Sequence, residues 1–362
     1  MLAYRVSHHG GPEALELCEV PTPAIRADEV RVRVRACALN RLDLWVREGV
    51  SGFTFPLPLI PGSEVAGVVD DVGELVSDIS EGDSVLLGPG VSCGYCSHCS
   101  FGDDQLCANY GILGEQRDGG YAEYIVVPGR NVLPLPAGLS FVEAAAIPLV
   151  FLTAWHMLVG RARLAPHEDI LLHAAGSGVT TAGIQIARLL NARHIIVTAG
   201  SDEKLQRAKE LGATDIINYH DEDFAHRSRE ITGGKGVEVV FDHVGGEIFE
   251  RSFKAVTRGG RIVICGATAG HEVEVNLRQV FFKSLSVLGS TMGSLGELKS
   301  VLRFFPSGDL KPVVDRTFPF TEAQAAQQYL ATRRQFGKVV LVVGDEVETP
   351  GQGSSEPEEA QE

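Results

Sequence analysis

A chain of 362 residues is long for one compact core, and 44% hydrophobic with 22% charged residues is ordinary globular composition, so two domains are expected. The net charge of −15 repels phosphate backbones and excludes a general nucleic-acid role. Seven of the acids (Asp345, Glu346, Glu348, Glu356, Glu358, Glu359 and Glu362) lie in residues 345–362 with no Lys or Arg, a stretch that reads as a disordered acidic tail.

The first ten residues lack the apolar core of a signal peptide. The longest apolar stretch, Ala144–Trp155, is interrupted by Pro148 and is too short to span a bilayer. Cytoplasmic residence without a membrane partner is the expectation. Up to about residue 130 the chain reads as mostly β: Glu29–Arg35 alternates apolar and charged residues, and Val65–Val72 and Ser84–Leu87 follow, separated by Gly/Asp turns. A helical stretch, Ala144–Leu158, leads into a new rhythm. Strands at Ile170–His173, His194–Thr198, Asp215–Asn218, Val237–Asp242 and Gly260–Cys265 alternate with helices through Ile184–Leu190 and Asp202–Leu211. That alternation predicts an α/β, doubly wound parallel sheet. After about residue 290 the elements read as irregular, until a last apolar strand at Lys338–Val343.

Cys93, Cys96, Cys99 and Cys107 place four thiolates in one loop. Close cysteine pairs let a turn present two sulfurs to one ion, and four thiolates close a tetrahedral zinc site, so one structural zinc is expected. The other cysteines, Cys18, Cys37 and Cys265, are dispersed, which argues against a disulfide framework.

With this lobe, Gly62-Ser-Glu64-x-x-Gly67, Gly120-Tyr-Ala-Glu-Tyr124, Ile217-Asn-Tyr219 and Phe336-Gly-Lys-Val-Val-Leu341, the sequence resembles the medium-chain dehydrogenase/reductases, the superfamily of zinc alcohol dehydrogenases and quinone oxidoreductases. The resemblance runs from about residue 1 to 343. It implies a GroES-like β-rich catalytic domain (1–151, returning at 291–344) around an inserted Rossmann domain (152–290), followed by the tail (345–362). It also implies a homodimer or dimer of dimers, through an edge strand near Leu285–Ser290. The departures bear on chemistry. Asn40 stands where the family's first catalytic-zinc cysteine would be, Ser63 replaces the signature histidine, and Pro148–Thr153 offers no Cys, Asp or Glu. A Lewis-acid zinc is therefore not expected. The candidate catalytic residues are Asn40, as a donor to a substrate carbonyl or a holder of the nicotinamide, together with Asp43, Ser63 and Glu64. Asp43 and Glu64 alternatively build a rearranged metal site, or simply hydrogen-bond within the cleft wall.

The cofactor loop is Ala174-Ala-Gly-Ser-Gly-Val-Thr180. Small residues in a strand-to-helix turn let backbone N–H groups meet a pyrophosphate, although strict G-x-G-x-x-G fails here. Ala175, Gly176, Ser177, Gly178 and Val179 are its candidates. NAD enzymes place an acid at the end of the second strand, where this chain has Ala199. Ser201, Lys204 and Tyr219 favour a 2′-phosphate, hence NADP, with NAD as the alternative through Asp202 or Glu203. Family likeness adds Thr153 near the nicotinamide ribose, Val244 and Gly266 along the dinucleotide, and Lys338 on the phosphate side. His243, after a strand end, is a further possible contact. Trp45, Phe53, Phe55, Tyr110 and Phe281 are candidates for an apolar pocket lining. Three functions compete: an NADP(H)-dependent reductase of a quinone, enone or aldehyde; an alcohol dehydrogenase with a rearranged metal; and a non-catalytic NADPH-binding protein.

Overall fold

The computed structural model describes residues 1–344, so the expected acidic tail lies outside the described residues. Its first sheet has seven strands. Six run in the order Val314–Pro319, Lys338–Val342, Glu29–Ala38, Glu64–Val72, Ser84–Leu87 and Val132–Pro134, and Tyr124–Pro128 also pairs with Glu29–Ala38. Alternation sets the central strand: Val30, Val32 and Val34 are buried, while Arg31 faces outward onto Asp70 and Asp71 of the neighbouring strand. Gly67 lies opposite Val34, where a Cβ would stand 2.1 Å from the Arg33 carbonyl oxygen, so close backbone approach requires glycine there.

The second sheet has six parallel strands in the order Asp215–Asn218, Ile195–Ala199, Ile170–Leu172, Val237–Asp242, Val256–Ile264 and Ser286–Gly289. Ile170, Leu171 and Leu172 are all fully buried, as expected of a strand covered on both faces. Strand order reverses between Ile170–Leu172 and Val237–Asp242, which opens the crevice where such sheets take ligands.

Between the sheets, the stretch expected as one helix is broken. Phe141–Ala145 stops, Pro148–Trp155 starts afresh, and a π-helical turn, His156–Arg161, follows. Pro148 lacks an N–H and clashes with a preceding turn, so it sits in a first helical turn instead. The segment after 290 is more regular than its sequence suggests. Helix Leu295–Leu302 begins at a Ser294/Glu297 capping box, strand Val314–Pro319 joins the first sheet, and helix Ala323–Ala331 follows. Elements of two turns or one short strand give periodicity too little length to register. One hydrophobic cluster contains Ala36 and Ala66 of the first sheet, Phe151 of the connecting helix, and Leu172, Val197 and Phe241 of the second. The two sheets thus share a core. No described helix is long and apolar enough to cross a membrane.

Candidate active site and cofactor cleft

Glu64 is fully buried at the start of its strand. Its Oε1 accepts the backbone N–H groups of Leu149 (2.7 Å) and Val150 (3.1 Å) in the first turn of helix Pro148–Trp155. Such N–H groups lack intrahelical partners and carry partial positive charge, so they suit a carboxylate. Its Oε2 pairs with Lys338 Nζ at 2.6 Å and accepts Asn40 Nδ2 at 3.0 Å. Lys338 Nζ also donates to the Leu39 carbonyl (2.5 Å) and to Asn40 Oδ1 (2.6 Å). An ammonium has three donors, and all three are committed.

Two expectations change here. Asn40 is not a free donor into the cleft, because its amide is clamped between Lys338 and Glu64 and its Nδ2 also reaches toward the Ala38 carbonyl at 3.5 Å. Lys338 does not present its charge to a phosphate. Its stem passes the cofactor loop, where a Cβ on Gly178 would lie 2.7 Å from Lys338 Cδ. Its ammonium turns instead to the buried carboxylate and two amide-type oxygens.

Asp43 sits at the third position of helix Arg41–Glu48, where its Oδ2 accepts the Asn40 N–H at 2.7 Å and Tyr121 OH at 3.2 Å. It points under the helix start, and burial pushes its carboxyl up to about 6. Asp43 and Glu64 are thus engaged separately, as cap and as ion-pair partner, and not as ligands of one centre. Ser63, fully buried beside Glu64, has a hydroxyl without a hydrogen-bond partner among the described residues.

The cofactor loop leaves strand Ile170–Leu172 through Ala174, whose φ of 58° is left-handed, and enters helix Gly178–Leu189 at Ser177. Ala175 N–H is held by the Thr198 carbonyl at 3.0 Å, and the Gly176 carbonyl accepts Gly337 N–H at 3.0 Å. A Cβ on Gly176 would lie 2.8 Å from the Gln335 oxygen and 2.9 Å from Lys204 Cδ, so glycine lets both cross the loop. Val179 is half-buried in the first helical turn.

At the end of the second strand, Ala199 brings no acid, and Asp202 is tied to Asn218 Nδ2 at 2.9 Å. Ser201 occupies the cap position of helix Asp202–Leu211 without a side-chain capping bond. The Tyr219 hydroxyl flanks Gly200, and Lys204 Nζ donates to the Arg333 carbonyl at 2.5 Å. Arg333, held at a left-handed φ of 58°, donates to the Thr268 carbonyl at 3.1 Å. Burial, with the Arg333 charge nearby, lowers the Arg41 guanidinium below its ordinary value. Lys204, Arg333 and Arg41 form a basic rim at this end of the cleft, in which Asp315 and Glu203 face the Lys204 charge. Sequence reading missed the two arginines, because no motif spacing joins positions so far apart.

On the opposite half, Val244 N–H is held by Asp242 Oδ1 at 2.6 Å, and Gly266 lies beside the His243 carbonyl. Thr153 is buried with its hydroxyl 4.0 Å from Met292 Sδ. Of the expected apolar lining, Phe53 and Phe281 are solvent-exposed, while Trp45 and Phe55 pack in a satellite cluster with Val46 and Leu59.

The four sulfurs of the cysteine lobe converge. The Sγ atoms of Cys93, Cys96, Cys99 and Cys107 lie within 4.8 Å of one another, with Cys93–Cys99 at 3.8 Å and Cys96–Cys99 at 3.5 Å. A tetrahedral zinc with bonds of about 2.3 Å separates its sulfurs by roughly 3.8 Å, so the donor set fits that ion. Backbone N–H groups of Cys96 and Asn109 point at the Cys93 and Cys107 sulfurs at 3.4 Å, as thiolates require. Among the described residues no other cluster of three or more His, Cys, Asp or Glu side chains has metal-binding geometry, and His98 is outside this one.

A Gly-rich turn at the switch point of a parallel sheet, docked on a second β-rich sheet with a four-sulfur lobe, defines a two-domain dehydrogenase architecture. Residues 26–137 match the alcohol dehydrogenase GroES-like domain, and residues 178–307 match the zinc-binding dehydrogenase family. A zinc-type alcohol dehydrogenase-like protein of Schizosaccharomyces pombe is 32% identical over 92% of this chain and 94% of its own length. A quinone oxidoreductase of Rattus norvegicus is 29% identical over 95% and 98%. The crystal structure of an NAD-dependent alcohol dehydrogenase is 50% identical, covers 95% of this chain and all of its own, and superposes with a TM-score of 0.92. The chain belongs to the medium-chain dehydrogenase/reductases, among the zinc-type alcohol dehydrogenases and quinone oxidoreductases, and it is an oxidoreductase.

Proposed function

We propose that this oxidoreductase uses NADP(H) and moves hydride to a quinone, enone or aldehyde without a catalytic zinc. The observation that carries the reading is the closed cluster of Lys338, Glu64 and Asn40. At the position where zinc-dependent relatives need free ligands, both Glu64 oxygens, every Lys338 proton and the Asn40 amide are committed. Bound NADPH would supply the hydride. The Gly-rich loop and the buried Thr153 would hold it, and burial would exclude water from the transfer. Addition to a quinone or an enone β-carbon leaves a phenolate or enolate, which water protonates. Asn40, Asp43, Ser63 and Glu64 act here by shaping the cleft floor, with the unpartnered Ser63 hydroxyl as the one donor still free.

The preference for NADP(H) rests on Ala199 in place of an acid, on Asp202 being tied to Asn218, and on the basic rim of Lys204 and Arg333 beside Ser201 and Tyr219. The alternative, an NAD-dependent alcohol dehydrogenase, is favoured by the likeness to the 50% identical enzyme of that activity. The four cysteines would hold one zinc with no open position, fastening the loop instead of doing chemistry. We further propose pairing of two copies along strand Ser286–Gly289, whose outer edge is open and whose neighbours Leu277, Phe281 and Phe282 are 71%, 62% and 66% exposed. Oxidation of NADPH and of NADH by a panel of quinones, enones and aldehydes tests the function. Turnover with NADPH is expected; reduction of NAD+ by alcohols, with no NADPH-dependent turnover of quinones or enones, would favour the alternative.

A further inference from the structure

Two buried histidines flank the crevice at the switch point, and they differ in one respect. His173 ends the strand Ile170–Leu172 side of the crevice, with Nε2 3.0 Å from Ser252 Oγ and Nδ1 3.0 Å from Thr198 Oγ1. Ser252 Oγ gives its proton to the Ile248 carbonyl at 2.7 Å, so it can only accept from His173 Nε2–H. Nδ1 then accepts from Thr198, and both ring nitrogens are satisfied. Burial drives this imidazole's pKa down to about 3, which keeps it neutral.

His243 follows the strand Val237–Asp242 on the other side. Its Nε2 lies 2.9 Å from Thr180 Oγ1, and Thr180 Oγ1 gives its proton to the His173 carbonyl at 2.7 Å. A carbonyl can only accept, so the Thr180 proton must point at it. The Thr180 oxygen therefore accepts from His243 Nε2–H, which fixes the tautomer. The remaining nitrogen, Nδ1, is left as a lone-pair acceptor without a side-chain partner among the described residues, on a residue 8% exposed. Burial lowers the basicity of this ring too, so the acceptor is not lost to protonation at neutral pH.

In a doubly wound sheet, the first three strands form one mononucleotide half-site and the next three the other. Ile170–Leu172, Ile195–Ala199 and Asp215–Asn218 make the half that carries the Gly-rich loop and the basic rim, which takes the adenosine. His243 stands at the end of the first strand of the second half. We propose that His243 Nδ1 accepts a hydrogen bond from a hydroxyl of the nicotinamide-side ribose. It thereby fixes the rotation of the hydride-bearing half of the cofactor, while Nε2 ties the same ring to the loop helix through Thr180. The inference rests on the nicotinamide-cofactor reading given above.

The two nitrogens can be replaced separately. The terminal amide of glutamine reaches the place of Nε2, and that of asparagine the place of Nδ1. By titration calorimetry of the full chain, His243→Gln should weaken NADP+ binding by roughly 3- to 10-fold, the worth of one hydrogen bond. It should leave adenosine 2′,5′-bisphosphate, which lacks the second ribose, within twofold of wild type. His243→Asn should retain more NADP+ affinity than His243→Gln. In the unmutated protein, the 15N resonance of His243 Nδ1 should move with NADP+ and stay with the bisphosphate. Equal loss of both ligands in His243→Gln, wild-type NADP+ affinity in that variant, or an unmoved Nδ1 resonance would overturn the assignment. Failure of the unmutated protein to bind any nicotinamide dinucleotide would instead overturn the functional reading on which it rests.

Discussion

Replacing Lys338 by methionine isolates the ion pair at the cleft floor. Methionine retains the apolar stem that packs beside Gly178 and removes the ammonium. Glu64 keeps the N–H groups of Leu149 and Val150 but loses its cation, while Asn40 Oδ1 and the Leu39 carbonyl lose their donor. The two charged side chains are 4% and 0% exposed, so solvent screens neither. Removing one partner of such a pair costs about 3–5 kcal/mol, because the other charge is left buried and unpaired. In a chain of 362 residues that lowers the melting temperature by about 5 °C. The double variant Lys338→Met with Glu64→Gln removes the orphaned charge and still offers an oxygen to helix Pro148–Trp155. It should recover at least half of the loss. Differential scanning fluorimetry, supported by urea unfolding, measures both. A single variant within about 1 kcal/mol of wild type, or a double variant worse than the single one, would refute the closed cluster.

Asp43 supplies a pH signature. Burial raises its carboxyl from an ordinary 3.8 to about 6, so the folded state binds the proton more tightly than the unfolded state. Its contribution is therefore fully present below pH 4 and is lost as pH rises through 6, by about 3 kcal/mol in all. Asp43→Asn still accepts from Asn40 N–H and Tyr121 OH, so unfolding of that variant should lose this pH dependence and match or exceed wild type at pH 7.5; lower stability at every pH would contradict the assignment. Lys204→Ala and Arg333→Ala should each raise KM for NADPH several-fold with little change for NADH, measured by initial rates, whereas equal effects on both cofactors would place these residues elsewhere. Gly67→Ala drives a Cβ to 2.1 Å from the Arg33 carbonyl and should cost more than 4 kcal/mol or abolish soluble expression; a stable, folded variant would show that the strands can separate at that point. Cys99→Ser should lower zinc content and thermal stability together, and a zinc-replete variant would remove Cys99 from the ligand set.

Local patterns carried most of the fold. The cysteine lobe is written within fifteen residues, and the strand–helix alternation from Ile170 declares itself through its central strands, Ile170–Leu172 and Ile195–Ala199, which are almost wholly apolar. The Asn40–Asp43 cap spans one helical turn and is legible by spacing alone, although its aspartate reads just as easily as a cleft residue. What stayed hidden was made by long-range pairing. Lys338 meets Asn40 across 298 positions, and Lys204 meets Arg333 across 129. A lysine after a glycine in a family motif reads as a phosphate ligand until the fold brings a buried carboxylate beside it. His243 was visible only as a histidine after a strand. Its tautomer depends on Thr180, 63 residues away, and on where Thr180 sends its own proton.

Hydride transfer without a catalytic metal is tested by determining, on one preparation before and after mild chelation, both zinc per chain by mass spectrometry and NADPH-dependent quinone or enone turnover. One zinc per chain, with full activity as long as that zinc stays bound, is the predicted result. Two zincs per chain, with turnover lost when the weaker one is removed and regained when it is restored, would show that a second zinc takes part in the chemistry.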